Sequence, residues 1–199
     1  HIIFPERIIK LVYANAEQLK LLIATCPYIA EIRRAQEANT FFTELSNSEQ
    51  KEWIDELLQR TTYTNGNVTI CLLDTGVTAS HPLLAQVINL DHVQSVNSVW
   101  GVGDHQGHGT EMAGIALYNN LKDALLGKTK IEMPQKIESV KILPPTGGNN
   151  PDLYGAITEQ AVSLAEIANP FVHRVICMAV TSPEYNTFDG SPTSWSAAV

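Results

Sequence analysis

Asp74 and His108 are two ionisable side chains in positions typical of catalytic groups. Asp74 ends the apolar run at residues 68–73 and precedes a glycine turn, so the pattern predicts a carboxylate at the carboxyl end of a strand. His108 lies in the segment 107–114 (GHGTEMAG), whose small residues would let the start of a helix pack closely against a sheet. A carboxylate can orient an imidazole and stabilise its protonated form, so the two could together act as a general base.

The surrounding pattern predicts the elements that would position these side chains. After residue 66, apolar strands alternate with helical stretches, which is typical of a parallel sheet covered by helices on both faces. The predicted strands are residues 68–73, 137–143 and 174–180, and the predicted helices begin near His108 and span residues 153–168. Catalytic and binding groups of such α/β folds gather at the carboxyl ends of the strands. A further helix start is expected at Ser191-Pro192.

The first third of the chain has a different pattern of predicted secondary structure. Residues 7–14 and 28–35 are predicted strands, and Asn15 with Gln18 predicts a capped helix between them, so residues 1–46 are expected to form a β-α-β accessory module. A second capping box at Ser46 and Glu49 predicts a linker helix within residues 47–65. We place the boundary of the main domain, residues 66–199, in the polar turn at residues 61–67.

Composition restricts the class of partner. The 199 residues carry a formal net charge of −8 and no stripe of Lys and Arg, which argues against nucleic acid and anionic membranes and favours a protein or peptide. No apolar stretch is long enough to span a bilayer, and the first residues have no leader pattern. Three widely spaced cysteines, Cys26, Cys71 and Cys177, favour a reducing compartment. We therefore expect a cytoplasmic protein, with a secreted one as the alternative.

The motifs around Asp74 and His108 together resemble those of the subtilases, the subtilisin-like serine peptidases. The matching segments are DTGV at 74–77, SHP at 80–82, HGTEMAG at 108–114, the strand at 140–143 and the strand at 175–180. The resemblance covers residues 66–199 and implies a subtilisin-like α/β fold and a serine endopeptidase. Residues 7–45 also resemble part of the pro-region that acts in this family as a chaperone and inhibitor.

The resemblance also implies roles for particular residues. His108 would be the general base and Asp74 would hold its imidazole in the required tautomer. Substrate would lie as an added strand along two segments, Gly147-Gly148-Asn149-Asn150 and Ala179-Val180-Thr181. Thr181 departs from the family's usual glycine. No cofactor is predicted, and the calcium ligands of the family match no contiguous motif here.

The sequence lacks the Gly-Thr-Ser-x-Ala-x-Pro segment that carries the nucleophile in this family, and it lacks the asparagine segment of the oxyanion hole. We therefore expect a truncated piece that is inactive alone and whose partner is the missing C-terminal part of the peptidase domain. A non-catalytic subtilase relative that acts in binding or scaffolding is the alternative.

Other interpretations of the same residues are less consistent with the whole pattern. Asp74-Thr75-Gly76 also begins the active-site loop of aspartic proteases, but that site needs a second such motif and an all-β fold. The glycines at 101 and 103 lack the third glycine of a dinucleotide loop. Metal ligation is conceivable, although loop positions without a supporting cluster are expected to be ordinary polar residues. The candidate ligands would be Asp104, His105 and His108, with His81, Asp91 or His92.

Overall fold

A computed structural model of the chain describes residues 1–3, 5–35, 40–181 and 195–196. The chain divides into two compact units, His1–Glu44 and Leu45–Val199. No helix of the described residues is both long and apolar enough to cross a bilayer. The predicted helix start at Ser191-Pro192 lies outside the described residues.

The first unit contains little regular structure. Its elements are the strands β1 (Ile2–Ile3) and β2 (Ile8–Ile9) and the helices α1 (Ala16–Thr25) and α2 (Thr40–Glu44). The capping box predicted for α1 is confirmed, because Asn15 and Gln18 exchange side-chain and backbone hydrogen bonds. The unit offers little burial to its apolar side chains: Leu21 and Ile23 of α1 stay more than half exposed.

The β-α-β arrangement predicted for this unit is wrong in the part that the structure describes. Residues 28–35 form no strand, and of residues 7–14 only β2 is extended and paired, antiparallel to β1. A strand requires a neighbour for its backbone N–H and C=O groups, and residues 28–35 have none in the described part of the unit. The residue types at 28–35 are compatible with a strand but do not supply the partner strand that it needs.

The second unit is built on parallel strands. Its elements in chain order are α3 (Asn47–Gln59), β3 (Thr61–Tyr63), β4 (Val68–Asp74), β5 (Ile88–Ser95), α4 (His108–Tyr118), α5 (Leu121–Leu126), β6 (Ile131–Met133), β7 (Lys136–Lys141), α6 (Tyr154–Ala168) and β8 (His173–Cys177). The main sheet has the order β5-β7-β4-β8, and all its neighbouring strands are parallel. The prediction of an α/β fold with a parallel sheet is confirmed.

In the two central strands, β4 and β7, alternate side chains point to opposite faces of the sheet. Leu73 of β4 and Val140 of β7 pack with Ala161 and Ala165 of α6 in one apolar cluster. Because successive residues of a strand point to opposite faces, Asp74 and Lys141 point to the other face. These two residues are partners in the register of β4 and β7, so both lie at the carboxyl edge of the sheet.

The division between the units falls between Glu44 and Leu45, close to the predicted end of the accessory module at residue 46. The linker helix predicted within residues 47–65 therefore lies in the second unit. The helix α3 starts at the predicted capping box of Ser46 and Glu49, but Leu57 on its inner side is completely buried within the second unit. The strand after α3 also pairs in parallel with β6. Burial and strand pairing therefore make this helix part of the main domain.

Several element limits also differ from the prediction. The last described strand ends at Cys177 rather than at residue 180, and Met178 and Val180 pack against the α6 cluster without continuing the ladder. The strand β5, an edge strand whose middle is interrupted by a register shift, was not predicted. Its polar sequence, INLDHVQS, lacks the apolar run that marks a buried parallel strand.

One buried ion pair connects the sheet to the end of α6. Glu138 of β7 is 1% exposed and accepts a 2.7 Å hydrogen bond from the guanidinium of Arg174. Arg174 also donates to the carbonyls of Ala165 and Asn169, which close the carboxyl end of α6. The pair therefore satisfies a buried charge and a helix terminus at the same time.

Replacing Glu138 with Gln is expected to lower the free energy of unfolding of the second unit by about 3–5 kcal/mol, because it leaves a buried guanidinium without its counter-charge. All three tryptophans, Trp53, Trp100 and Trp195, belong to this unit, so urea denaturation followed by tryptophan fluorescence reports on it selectively. The exposed Glu132→Gln substitution is the matched control and should stay within about 0.5 kcal/mol of the unsubstituted chain. Equal effects of the two substitutions would contradict the assignment.

Candidate active site

Asp74 is held at the carboxyl end of β4. Its side chain is 2% exposed, and one carboxylate oxygen, Oδ1, accepts a 2.7 Å hydrogen bond from the backbone N–H of Thr75. The backbone turns away from the strand at Gly76, whose φ of +101° favours glycine. A Cβ at Gly76 would lie 2.6 Å from the carbonyl oxygen of Val102, so glycine is also required for the close approach of that loop.

His108 is the first residue of α4, and its ring faces Asp74. The distance from Nδ1 to Oδ1 of Asp74 is 2.8 Å, which is a hydrogen bond between groups 34 residues apart in the sequence. The histidine side chain is 47% exposed, whereas the carboxylate is almost completely buried. In the neutral ring, donation from Nδ1 to the carboxylate leaves Nε2 as the nitrogen that can accept a proton.

The hydrogen bond to Asp74, followed by the negative charge of that carboxylate, raises the pKa of His108. Folding therefore increases the proton affinity of this side chain. By linkage, protonated His108 favours the folded state at acidic pH, and that contribution disappears as the pH rises through the folded-state pKa. The hydrogen bond and the negative charge of Asp74 both stabilise the protonated, imidazolium form of His108.

A second carboxylate, Asp104, joins the two elements that carry the pair. Five hydrogen bonds converge on it, all from the turn after Asp74 or from the segment that begins α4. The donors are the hydroxyl of Thr75 (2.9 Å), the N–H of Gln106 (3.0 Å), the N–H of Gly107 (2.8 Å), and the N–H (2.8 Å) and hydroxyl (2.7 Å) of Thr110. Sequence reasoning considered Asp104 only as a possible metal ligand and missed this role.

Burial alone would raise the pKa of Asp104, but the hydrogen bonds from Thr110, Gln106 and Gly107 outweigh it and hold the pKa at about 2. This carboxylate is therefore ionised throughout the pH range in which a histidine titrates.

Lys141 supports the same loop from the sheet. It is 1% exposed, and its ammonium donates a 2.8 Å hydrogen bond to the carbonyl of Gly103. The ammonium also lies 2.7 Å from Nδ1 of His105. Burial lowers the pKa of Lys141, and the negative charge of Asp104 opposes that shift. A long cationic side chain from the sheet thus fixes the loop that carries Asp104.

The residues considered as metal ligands do not converge. Among the described residues, no three His, Cys, Asp or Glu side chains are grouped closely enough to hold a metal ion. His105 faces Lys141 and the carbonyl of Gly103, and His81 accepts a hydrogen bond from the N–H of Leu83. Asp91 and His92 belong to β5 instead.

A cavity of about 260 Å³ lies beside the end of β7. Of the residues predicted to bind substrate, Gly148, Asn149, Val180 and Thr181 line it, whereas Gly147, Asn150 and Ala179 do not. The other lining residues are mostly apolar or aromatic: Ile142, Leu143, Tyr154, Ile157, Thr158 and Trp195. Ile142 donates its N–H to the carbonyl of Asp74 at 2.9 Å, so the wall of the cavity is joined by the backbone to the Asp74 turn.

Trp195 forms one side of this cavity and was not predicted. Its ring lies 5.1 Å from the ring of Tyr154, and its Nε1 donates a 2.9 Å hydrogen bond to the hydroxyl of Thr158. Both partners belong to α6, 37 or more residues earlier in the chain. An isolated tryptophan near the end of a sequence carries no local signal of such a contact.

The fold and the site define an α/β protein with an aspartate–histidine pair at the carboxyl edge of its parallel sheet. The family model of the subtilases, peptidase family S8, matches residues 65–199. The chain therefore belongs to the subtilase family, a family of serine peptidases. No curated protein and no solved structure matched the chain.

Proposed function

We propose that this chain supplies the acid–base half of the active site of a serine endopeptidase, with His108 as the general base and Asp74 as the residue that orients it. The observation that carries the proposal is the 2.8 Å hydrogen bond between His108 Nδ1 and the buried carboxylate of Asp74. It leaves the other ring nitrogen on a side chain that is nearly half exposed. A base that acts on a bound substrate needs this combination of a fixed ring and an accessible nitrogen.

In the proposed reaction, Nε2 of His108 takes the proton from a serine hydroxyl while the serine oxygen bonds to the carbonyl carbon of the peptide. The resulting imidazolium is stabilised by the negative charge of Asp74, which itself stays ionised. His108 then gives the proton to the leaving amine as the peptide C–N bond breaks. Water attacks the acyl-enzyme in a second round that again uses His108 as the base and returns the serine hydroxyl.

We propose that the nucleophilic serine comes from a part of the protein outside this sequence. The support is the sequence itself, which has no Gly-Thr-Ser-x-Ala-x-Pro motif in its 199 residues. The chain by itself is then expected to hold the acid–base pair without hydrolysing peptides.

The proposed substrate is a protein or peptide in extended conformation. Four of the seven residues in the two predicted binding segments, Gly148, Asn149, Val180 and Thr181, line one cavity, and its apolar and aromatic walls suit an apolar substrate side chain. Beyond β8 the residues up to Thr181 are not paired in the described sheet, so their backbone groups could bind an added strand.

Labelling with a serine-directed phosphonate tests the proposal on the full-length protein from its natural source. We expect covalent labelling of one serine outside these 199 residues, and loss of that labelling in His108→Ala because the hydroxyl is no longer activated. His173→Ala, at an exposed histidine at the start of β8, is the matched control and should label normally. A folded full-length protein that takes up no phosphonate would instead be a binding or scaffold relative of the peptidases.

A further inference from the structure

We propose that Asp104 is a positioning residue for the Asp74–His108 pair, because its carboxylate ties the turn after Asp74 to the first turn of the helix that begins with His108. The inference deepens the proposed function and rests on it for its catalytic meaning. The geometric claim itself concerns only residues of this chain.

Asp74 and His108 belong to two elements that no covalent connection holds together locally. Both carboxylate oxygens of Asp104 bridge this gap. Its Oδ1 accepts from the hydroxyl of Thr75, and its Oδ2 accepts from the N–H and the hydroxyl of Thr110. One rigid, planar group therefore fixes the distance between the two backbones that carry the pair.

Thr75 passes this constraint to both members of the pair. Its N–H donates to Oδ1 of Asp74, the same oxygen that His108 Nδ1 contacts. Its hydroxyl donates to Asp104 and accepts a 2.9 Å hydrogen bond from the N–H of Gly109, the residue after His108. A substitution at Asp104 should therefore displace the carboxylate of Asp74, through the N–H of Thr75. It should also displace the imidazole of His108, through the backbone at Gly109.

The helix start depends on Asp104 in another way. The N-cap of α4 is Gly107, which has a φ of +89° and no side chain to cap the helix. Asp104 provides the missing acceptor, because it binds the N–H of Gly107 and the N–H of Thr110 in the first turn. A negative charge is also favourable at the positive end of the helix dipole. Asp104 therefore fixes the direction in which the side chain of His108 projects from α4.

The loop that carries Asp104 is itself fixed. Lys141 holds the carbonyl of Gly103 from the sheet, and the carbonyls of Val102 and Gly103 lie tightly against Gly76. Asp104 therefore cannot follow a displaced helix, and its five hydrogen bonds act as a reference point for the pair. With its pKa at about 2, it keeps the charge that these hydrogen bonds require.

The test uses the 199-residue chain and the side-chain NMR signal of the proton on His108 Nδ1. A proton shared with a buried carboxylate exchanges slowly with solvent, whereas a proton on a misoriented ring exchanges quickly. Asp104→Asn keeps the size of the side chain but places an NH₂ group where one oxygen accepted hydrogen bonds, so donor faces donor at Thr75 or at Thr110. We expect at least about tenfold faster exchange of the His108 proton, the factor that corresponds to losing one hydrogen bond to a charged group.

The matched control is Asp152→Asn, at an exposed carboxylate in the turn before α6, which should leave the exchange rate unchanged. A second pair of variants keeps the test decisive if Asp104→Asn does not fold. Thr75→Val removes the hydroxyl that links Asp104 to Gly109 and should speed exchange, whereas Thr75→Ser retains the hydroxyl and should restore slow exchange.

The inference is overturned if a folded Asp104→Asn chain keeps an exchange rate within about twofold of the unsubstituted chain, or if Asp152→Asn has the same effect. In an unfoldable Asp104→Asn chain, equal rates for Thr75→Val and Thr75→Ser overturn it. These outcomes leave the proposed function standing, since the phosphonate test does not depend on them. Absence of a slowly exchanging His108 proton in the unsubstituted chain would contradict both.

Discussion

If the proposed function is correct, replacing His108 with Ala should lower kcat of the full-length protein by about 10⁶-fold, the magnitude known for the equivalent change in subtilisin. The expected cause is loss of the only imidazole that faces the buried carboxylate of Asp74 among the described residues. The serine hydroxyl then has no base, and the leaving amine has no acid. KM should change little, because the cavity-lining residues that are proposed to bind substrate do not include His108.

The measurement is steady-state hydrolysis of a peptide substrate with an apolar side chain, with kcat and KM determined separately. His173→Ala serves again as the control, because this exposed histidine lies at the opposite, amino end of its strand. Its kcat should match that of the unsubstituted enzyme. A reduction of less than about tenfold in His108→Ala would assign the base to another residue, since even modest general-base catalysis exceeds that factor.

Replacing Asp74 with Asn should lower kcat by about 10⁴-fold, as the corresponding substitution does in serine peptidases with this triad. The amide is neutral and cannot stabilise the imidazolium that forms in the transition state. Its NH₂ group can also donate toward Nδ1, which would select the ring tautomer whose Nε2 carries the proton and cannot act as the base. The effect is smaller than that of removing His108, because an imidazole remains in the site.

The same substitution should move the pH profile in a defined direction. In the unsubstituted protein the hydrogen bond and charge of Asp74 raise the pKa of His108, and the base works only when the ring is neutral. The proposed activity should therefore fall as the pH drops below this raised pKa. In Asp74→Asn the pKa of His108 should fall, so the acidic limb of kcat/KM should shift to lower pH.

The profile is measured as kcat/KM against pH for the unsubstituted protein, Asp74→Asn and the control Asp152→Asn. The control should keep both the rate and the acidic limb of the unsubstituted protein, because Asp152 is exposed on the turn before α6. An acidic limb that stays in place in Asp74→Asn, or moves to higher pH, would contradict the assignment of Asp74 as the partner of His108.

Much of the main domain could be predicted from local patterns. The run at 68–73 is β4 up to one residue, and the helices predicted near His108 and at 153–168 are α4 and α6 within one residue at their starts. These elements carry strong periodic or apolar signals because β4 is a central strand of the sheet and α6 packs against it in the apolar cluster. The strand β5 and the limits of β8 carried weaker signals, since edge strands tolerate polar residues.

The secondary structure of the first unit was predicted less well than that of the main domain, for a physical reason. A helix can satisfy its own backbone, so the capping box at Asn15 was sufficient to locate α1. A strand depends on a partner from elsewhere in the chain, and the residue types at 28–35 carry no information about such a partner. The same reasoning explains α3, whose capping box was evident while its membership of the main domain depended on the burial of Leu57.

The sequence by itself determined the family, the order of Asp74 and His108 and the close packing at Gly109, because these depend on residue types and spacing; at Gly114, also predicted to pack closely, the structure leaves open space. Only the tertiary structure decided that His108 Nδ1 lies 2.8 Å from the carboxylate of Asp74. It also decided that Asp104 and Lys141 hold the surrounding loop rather than acting as a metal ligand or a surface charge. The position of Trp195 at the side of the cavity likewise depends on the tertiary structure. The hydrogen bonds from Thr75 to Asp104, between His108 and Asp74, from Trp195 to Thr158 and from Lys141 to Gly103 join residues between 29 and 38 positions apart in the chain. Hydrogen bonds of that kind depend on where the sheet and its loops bring side chains together, which no local pattern specifies.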